Sequence, residues 1–404
     1  MPQASTRAHL APPSPIRKLA PYADAAKAKG IDVIHLNIGQ PDIEAPEEFW
    51  TALGAKRPKV LEYSHSAGNP TLRAKARASY KAQLGVELND SELMVTTAGS
   101  EALVFAMMAC LNPGDEIIIP EPFYANYLGF AVLAGVTVVP ITTYLDQDFA
   151  LPSIEAFEEK ITPRTKAILI CNPSNPTGTI YSAAQLHALA EVVRKHDLYL
   201  MADEVYREFN YTSEPVLSVL QLPGLEQNAV MVDSVSKRFS LCGARLGFLV
   251  SKNAEVMSGA LRFGQARLSP PALAQIGVEG ALEGGPDYFD QVRGEYRARR
   301  DRLVQRLSEI PGAKCPKIDG AFYATVRLPI DDGDKFCQWL LEEFSHEGAT
   351  VMVSPASGFY ATPGLGKDEV RFAYVLEEGR LDRAMDCLKV ALQVYPGAKV
   401  AAGS

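Results

Sequence analysis

Ala167-Ile168-Leu169-Ile170-Cys171-Asn172-Pro173-Ser174-Asn175-Pro176-Thr177-Gly178 opens the stretch whose reading decides the fold. An apolar, β-branched run stops at a loop stiffened by two prolines, which fix φ and withhold two backbone donors. A helical pattern follows over Ala183–His196, and a second apolar run, Leu198–Ala202, ends on Asp203-Glu204-Val205-Tyr206. Strand, loop, helix and strand in this order make one crossover unit, the connection that parallel pairing requires.

The same alternation extends in both directions. Apolar runs at Leu93–Thr96, Glu116–Ile119 and Val136–Pro140 precede it, and Val230–Val232 and Leu246–Val250 follow, with helical patterns such as Ala102–Leu111 between. These runs predict an α/β fold: a mostly parallel seven-stranded sheet sandwiched by helices. Only a short segment around Lys237 separates the last two runs, so they are expected to pair antiparallel. Phe289, Val292, Tyr296, Leu303 and Leu307 fall at helical spacing and predict a long helix from Pro286 to Ser308. Beyond it, Gly320–Arg327, Thr350–Val353 and Val370–Val375 read as strands before a final helix through Leu388 and Leu392. They predict a smaller α+β unit, which Val33–Ile38 is expected to join. The expected division is residues 1–50 as an N-terminal arm and part of the small unit, 51–305 as the large unit, and 306–404 as the small C-terminal unit. The arginine cluster Arg297, Arg299, Arg300 and Arg302 reads as a solvated helix face.

The bulk properties narrow the function classes. The 404 residues carry a formal net charge of −8, which argues against general affinity for nucleic acid or anionic membrane. No apolar stretch approaches the roughly 20 residues of a membrane span. Met1–Pro15 lacks the apolar core of a secretory signal and reads as a loose polar arm, so a cytoplasmic location is expected. The six cysteines form no Cys-x-x-Cys pairing and suit free thiols in a reducing compartment. No histidines or cysteines fall at metal-ligand spacing, and no metal is assigned.

The chemistry lies in the loops after the strands. Asp203 ends a strand where open α/β sheets present ligand-contacting groups. Its carboxylate suits a protonated pyridine nitrogen, and Tyr206, three residues on, brings a phenol to the same place. A helix N-cap and a packed tyrosine are the bland alternative. Asn175, in the proline-stiffened loop, offers an amide to a phenolate oxygen. For an anion, Arg245 presents a bidentate fork, Ser234 and Ser236 present hydroxyls, and Gly99 and Ser100 open a helix directly after a strand. Tyr124 is an aromatic available for stacking. Ser234-Val235-Ser236-Lys237-Arg238-Phe239 supplies a primary amine amid this company. Together these are the parts needed to hold pyridoxal phosphate, with Lys237 as its Schiff-base lysine and, once freed, the carrier of a proton. An exposed lysine has a pKa of about 10.4, so this role requires an environment that favours the neutral amine.

The ordered set Gly39-Gln40-Pro41-Asp42, Tyr63, Ala98-Gly99-Ser100, Tyr124, Asn172–Gly178, Asp203-x-x-Tyr206, Ser234-x-Ser236-Lys237, Arg245 and Arg371 resembles the class I/II aminotransferases of pyridoxal phosphate fold type I. It is most similar to the prokaryotic aspartate aminotransferase branch. The resemblance implies a homodimer with shared active sites, in which Tyr63 reaches the neighbouring subunit's cofactor phosphate. It implies that Arg371 grips the substrate α-carboxylate, assisted by Asn175 and the backbone at Gly39. It also implies reversible ping-pong transfer of an amino group between an L-amino acid, aspartate as first choice, and a 2-oxo acid such as 2-oxoglutarate. Two positions depart from the pattern. Cys242-Gly243-Ala244 stands where many relatives have Thr-Gly-Trp before the arginine, and Ser100 stands where some aspartate-specific relatives have lysine. Arg17 and Arg267 are the candidate partners for a distal carboxylate.

An aromatic or broad-specificity aminotransferase and a C–S β-lyase share every anchoring residue and stay open as alternatives. A DNA-binding regulator built on the same domain needs more chain than precedes Gly39. A nicotinamide oxidoreductase lacks its Gly-x-Gly-x-x-Gly loop after a strand.

Overall fold

The computed structural model describes residues 2–56 and 58–399; Arg57 and residues 400–404, inside the expected units, lie outside the described residues. Its centre is a seven-stranded sheet in the spatial order Leu93–Thr96, Gly247–Val250, Ala229–Ser234, Tyr199–Asp203, Thr165–Cys171, Glu116–Glu121 and Thr137–Thr142. Gly247–Val250 pairs antiparallel with both neighbours, while the other pairs are parallel, so six strands share one direction and one opposes them. The expected antiparallel pairing of the last two runs is present, and the returning strand also joins Leu93–Thr96 to the sheet.

Both faces of the sheet are buried, which explains the unbroken apolar runs. Side chains alternate between two packed cores: Ile117, Ile119, Leu169, Val230 and Val232 enter one, and Ile118, Ile168, Ile170 and Met231 enter the other. Helices cover the two faces, and their ends carry local signals. Ser182 and Gln185 form a reciprocal capping box at the start of Ala183–His196. Pro286 opens the helix Pro286–Ser308 at a position where its missing N–H costs nothing.

The remaining strands form two small sheets. Tyr323–Arg327, Glu369–Ala373 and Ser354–Pro355 are antiparallel, and Asp32–His35 pairs parallel with Ala349–Met352. The N-terminal strand therefore joins the C-terminal segment of the chain. The first of these strands begins at Tyr323, three residues later than the pattern of Gly320–Arg327 suggested; Gly320 makes only an isolated bridge to Asn210.

The arginine cluster on the long helix is not the solvated face expected of it. Arg299 is 4% exposed and donates to Asp42, Glu295 and the Val375 carbonyl. Arg300 lies against the Tyr211 ring, and Arg302 forks onto Asp382. Arg297 alone of the four is exposed. Carboxylates and carbonyls from distant parts of the chain meet this face, and paired arginine tolerates burial.

Gly247 shows how tightly the returning strand is fitted. A Cβ there would lie 2.6 Å from the Ala98 carbonyl carbon and 2.7 Å from both the Asp233 oxygen and the Gly99 nitrogen. These are backbone atoms that cannot step aside. Gly247→Ala is therefore expected to destabilise the protein by roughly 1–3 kcal/mol, seen as a lowered melting temperature, through forced displacement of the helix start at Ala98.

Candidate active site

The six co-directed strands deliver their C-terminal ends to one side of the sheet, where open α/β sheets form their ligand crevices. A cavity of about 590 Å³ opens there. It brings together Gly39, Gly99, Ser100, Tyr124, Asn175, Asp203, Tyr206, Ser234, Ser236, Lys237, Arg245 and Arg371, residues separated by more than 300 positions in the chain.

Asp203 is nearly fully buried at the end of its strand. Burial pushes its carboxyl up to about 6, against hydrogen bonds from the Tyr127 hydroxyl (2.7 Å) and the Val205 N–H (3.4 Å). Tyr127, in the first turn of the helix Asn126–Ala134, has no place in the sequence reading. Nothing local in the sequence marks it; its role shows only in the contact to Asp203.

Lys237 sits in the single helical turn Val235–Arg238 that follows the strand Ala229–Ser234. Its Nζ donates to the Gly39 carbonyl at 2.7 Å and lies 3.8 Å from the Cys242 thiol. Glycine at 39 makes room for the Tyr323 hydroxyl: a Cβ there would overlap it and would displace that ring. That hydroxyl is 3.1 Å from the hydroxyl of Tyr206, toward which the Asn175 amide donates at 3.5 Å. Tyr323 is thus a further cavity residue.

Arg371 is buried between two aromatic faces, with its guanidinium 4.5 Å from the Tyr323 ring centre and 4.7 Å from that of Phe359. It donates to Asn175 Oδ1 (3.0 Å) and the Asn37 carbonyl (2.6 Å), and burial lowers its pKa. The helix Ala98–Cys110 begins with Ala98, Gly99 and Ser100 on the cavity wall. The N–H groups of a first helical turn have no intrahelical acceptors, so this end favours an anion. Ser234 and Ser236 join it, their hydroxyls 2.9 Å apart, with Arg245 at the rim.

Three residues expected from the sequence deserve separate placement. Tyr63 is 80% exposed and does not line the cavity of its own chain. Arg17 lines the cavity and has no ion-pair partner among the described residues. Arg267 does not serve as a free distal cation: it pairs with Glu101 at 3.0 Å and donates to the Ser66 carbonyl, away from the cavity wall.

Behind the cavity lies a buried ion cluster. Asp233 accepts from Tyr80 (2.7 Å), the Ser234 N–H (2.7 Å), Arg207 (3.3 Å) and Arg238. Arg207 also pairs with Glu204, and Arg238 with Glu208, both at 3.0 Å. Members of this cluster are sequence neighbours of cavity residues: Glu204 of Asp203, Arg207 of Tyr206, Asp233 of Ser234, and Arg238 of Lys237.

Known proteins share this arrangement. The model of the family "Aminotransferase class I and II" matches residues 31–388. The chain belongs to that family. Among its relatives, a putative aminotransferase of Bacillus subtilis, YugH, is 34% identical over 93% of this chain and 95% of its own length. An aspartate aminotransferase of Geobacillus stearothermophilus is 31% identical over the same shares. Among solved structures, an aspartate aminotransferase from Thermotoga maritima has a TM-score of 0.89 at 30% identity, covering 96% of this chain and all of its own. An N-succinyldiaminopimelate aminotransferase from Mycobacterium tuberculosis has a TM-score of 0.88 at 28% identity, with the same coverage. The fold is that of the aspartate aminotransferases, fold type I, and the enzyme is an aminotransferase dependent on pyridoxal phosphate.

The cavity suits that cofactor. Its lining combines a helix N-terminus, two hydroxyls and an arginine that would hold a phosphate with a buried carboxylate that would face a pyridine nitrogen. Without a cationic partner, Asp203 binds its proton more tightly folded than unfolded. Its contribution to stability is full below about 4 and is lost as pH rises through about 6. Between pH 4.5 and 7.5 cofactor-free protein should therefore lose roughly 2 kcal/mol of stability from this group, and Asp203→Asn should flatten the loss. Denaturant unfolding of both proteins between pH 4.5 and 7.5 measures it.

Proposed function

We propose that this aminotransferase moves an amino group between L-aspartate and a 2-oxo acid such as 2-oxoglutarate by a ping-pong mechanism. The observation that carries the reading is the convergence of the Lys237 amine, the Asp203 carboxylate and the Arg371 guanidinium on one cavity. In this reading the phosphate is held by Gly99, Ser100, Ser234, Ser236 and Arg245. Tyr124 covers the ring, Asn175 and Tyr206 donate to its phenolate oxygen, Asp203 pairs with its nitrogen, and Lys237 anchors it. Bound there, pyridoxal phosphate supplies a carbonyl that condenses with amines and a ring that takes up the electrons of a breaking Cα–H bond.

The chain's own residues do the rest. Arg371 takes the substrate α-carboxylate bidentately, with Asn175 and the Gly39 backbone, and fixes the orientation of the Cα–H bond. Lys237, freed when the substrate amine takes its place, would carry the proton between the substrate Cα and C4′ of the cofactor. Arg17, the one cavity arginine to which this reading gives no other ligand group, receives the distal carboxylate of aspartate.

The same reading makes the protein a homodimer. Tyr63, exposed here, completes the phosphate site of a second subunit, and the exposed apolar side chains Trp50, Val60, Leu61, Leu268 and Leu273 suit a subunit interface. A cytoplasmic location is consistent with six free cysteines and with the absence, among the described residues, of any helix long and apolar enough to cross a membrane.

Lys237→Ala is expected to lose the visible absorbance of the lysine-bound cofactor and nearly all turnover; wild-type turnover in that variant contradicts the mechanism. Arg17→Gln is expected to raise KM for aspartate about tenfold, the loss of one charge-assisted contact, and to leave KM for phenylalanine unchanged. Equal effects on both amino acids would remove Arg17 as the distal partner. Release of pyruvate and ammonia without a 2-oxo acid acceptor would identify a β-lyase instead.

A further inference from the structure

Glu121 ends the strand Glu116–Glu121, next to the sheet edge, with no exposed surface and without an ion-pair partner among the described residues. Its carboxylate is instead spent on three hydrogen bonds. Oε1 accepts from the Thr142 hydroxyl at 2.8 Å, and Oε2 accepts from the backbone N–H groups of Ala361 (2.7 Å) and Thr362 (3.0 Å). Those two N–H groups lie directly after the turn Ala356–Phe359, whose Phe359 forms one face of the aromatic pair around Arg371. A second tie runs in parallel, from the Phe123 N–H to the Phe359 carbonyl at 2.9 Å. The segment that walls Arg371 is thus fastened to the end of a strand in the seven-stranded sheet, three residues before the cavity residue Tyr124, and to Phe123 next to that tyrosine.

A buried carboxylate without a cation is costly unless its lone pairs are filled, and filling them with backbone donors fixes the donors' position. We propose that Glu121 is a positioning residue for substrate binding: it pins the 359–362 segment so that Phe359 holds the Arg371 guanidinium flat against Tyr323 and presented to the substrate carboxylate. The proposal rests on the reading of Arg371 as the arginine that grips that carboxylate.

The role is geometric, so it has a distinctive rescue. Glutamine can present one oxygen to both N–H groups and donate its amide to the Thr142 oxygen, keeping all three bonds without the charge. The test uses holoenzyme and the non-reacting dicarboxylate succinate, with the dissociation constant read by calorimetry and KM and kcat for aspartate measured alongside. Glu121→Ala should weaken succinate binding and raise KM about tenfold, with kcat and the cofactor absorbance within about twofold of wild type, while Glu121→Gln should recover most of the loss. Phe359→Leu should give the same signature, and the Glu121→Ala/Phe359→Leu double variant should be no worse than the weaker single, because both act through one wall. Where Glu121→Ala does not fold, Thr142→Val replaces it, with a smaller rise and the same non-additivity expected. Additive effects, failure of glutamine to rescue, or a loss confined to kcat or cofactor binding would overturn the proposal. Arg371→Lys separates the two layers. Unchanged succinate binding there overturns the reading of Arg371 and the latch with it. Weakened binding there, with Glu121→Ala unaffected, overturns the latch alone.

Discussion

The carboxylate of Asp233 has no exposed surface, and donors from Tyr80, Ser234, Arg207 and Arg238 converge on it. Removing one partner from such a buried ionic set leaves an uncompensated charge and costs about 3–5 kcal/mol. The cluster also sits where the cavity needs rigidity. It ties the turn after Asp203 to the turn after Ser234, and so fixes Lys237, Ser234, Ser236, Asp203 and Tyr206 in one frame. Side chains alternate along strands and short turns, so a residue in the cluster places its neighbour in the cavity. The charges behind the wall and the reactive groups in front of it are two sides of the same few residues.

The cavity itself is lined by two groups of opposite charge, each raised in energy by burial. Asp203 is pushed toward protonation, and Arg371 is pushed toward loss of its proton. In the proposed function each would gain the partner it lacks: a protonated ring nitrogen for Asp203 and a substrate carboxylate for Arg371. Such unpaired groups are preorganised for ligands, since their hydration has already been given up on folding. Lys237 lines the same cavity, with its amine donating to the Gly39 carbonyl.

Much of this was legible in the sequence, for identifiable reasons. Local periodicity carried the long elements: the helices Pro286–Ser308 and Ala183–His196 have the bounds that their apolar spacing and caps indicate. Strand-end chemistry carried the cavity, because Asp203, Asn175 and Lys237 follow strands that all point the same way. What failed was whatever depends on partners far along the chain. Arg299 looked solvated until Asp42 and Val375 arrived beside it, and Arg267 looked free until Glu101 took it. Tyr127 and Glu121 carry no local signal of function; their roles exist only through contacts to Asp203 and to the 361–362 backbone. Substrate identity is harder still, since relatives with this fold and different substrate names are almost equally similar.

The central claim is that Lys237 is the residue that carries the cofactor. The most direct measurement is borohydride reduction of the protein saturated with pyridoxal phosphate, followed by proteolysis and peptide mass analysis. The account predicts one modified lysine per chain, in the peptide containing Lys237. Attachment to a different lysine, or no attachment at all, would contradict it.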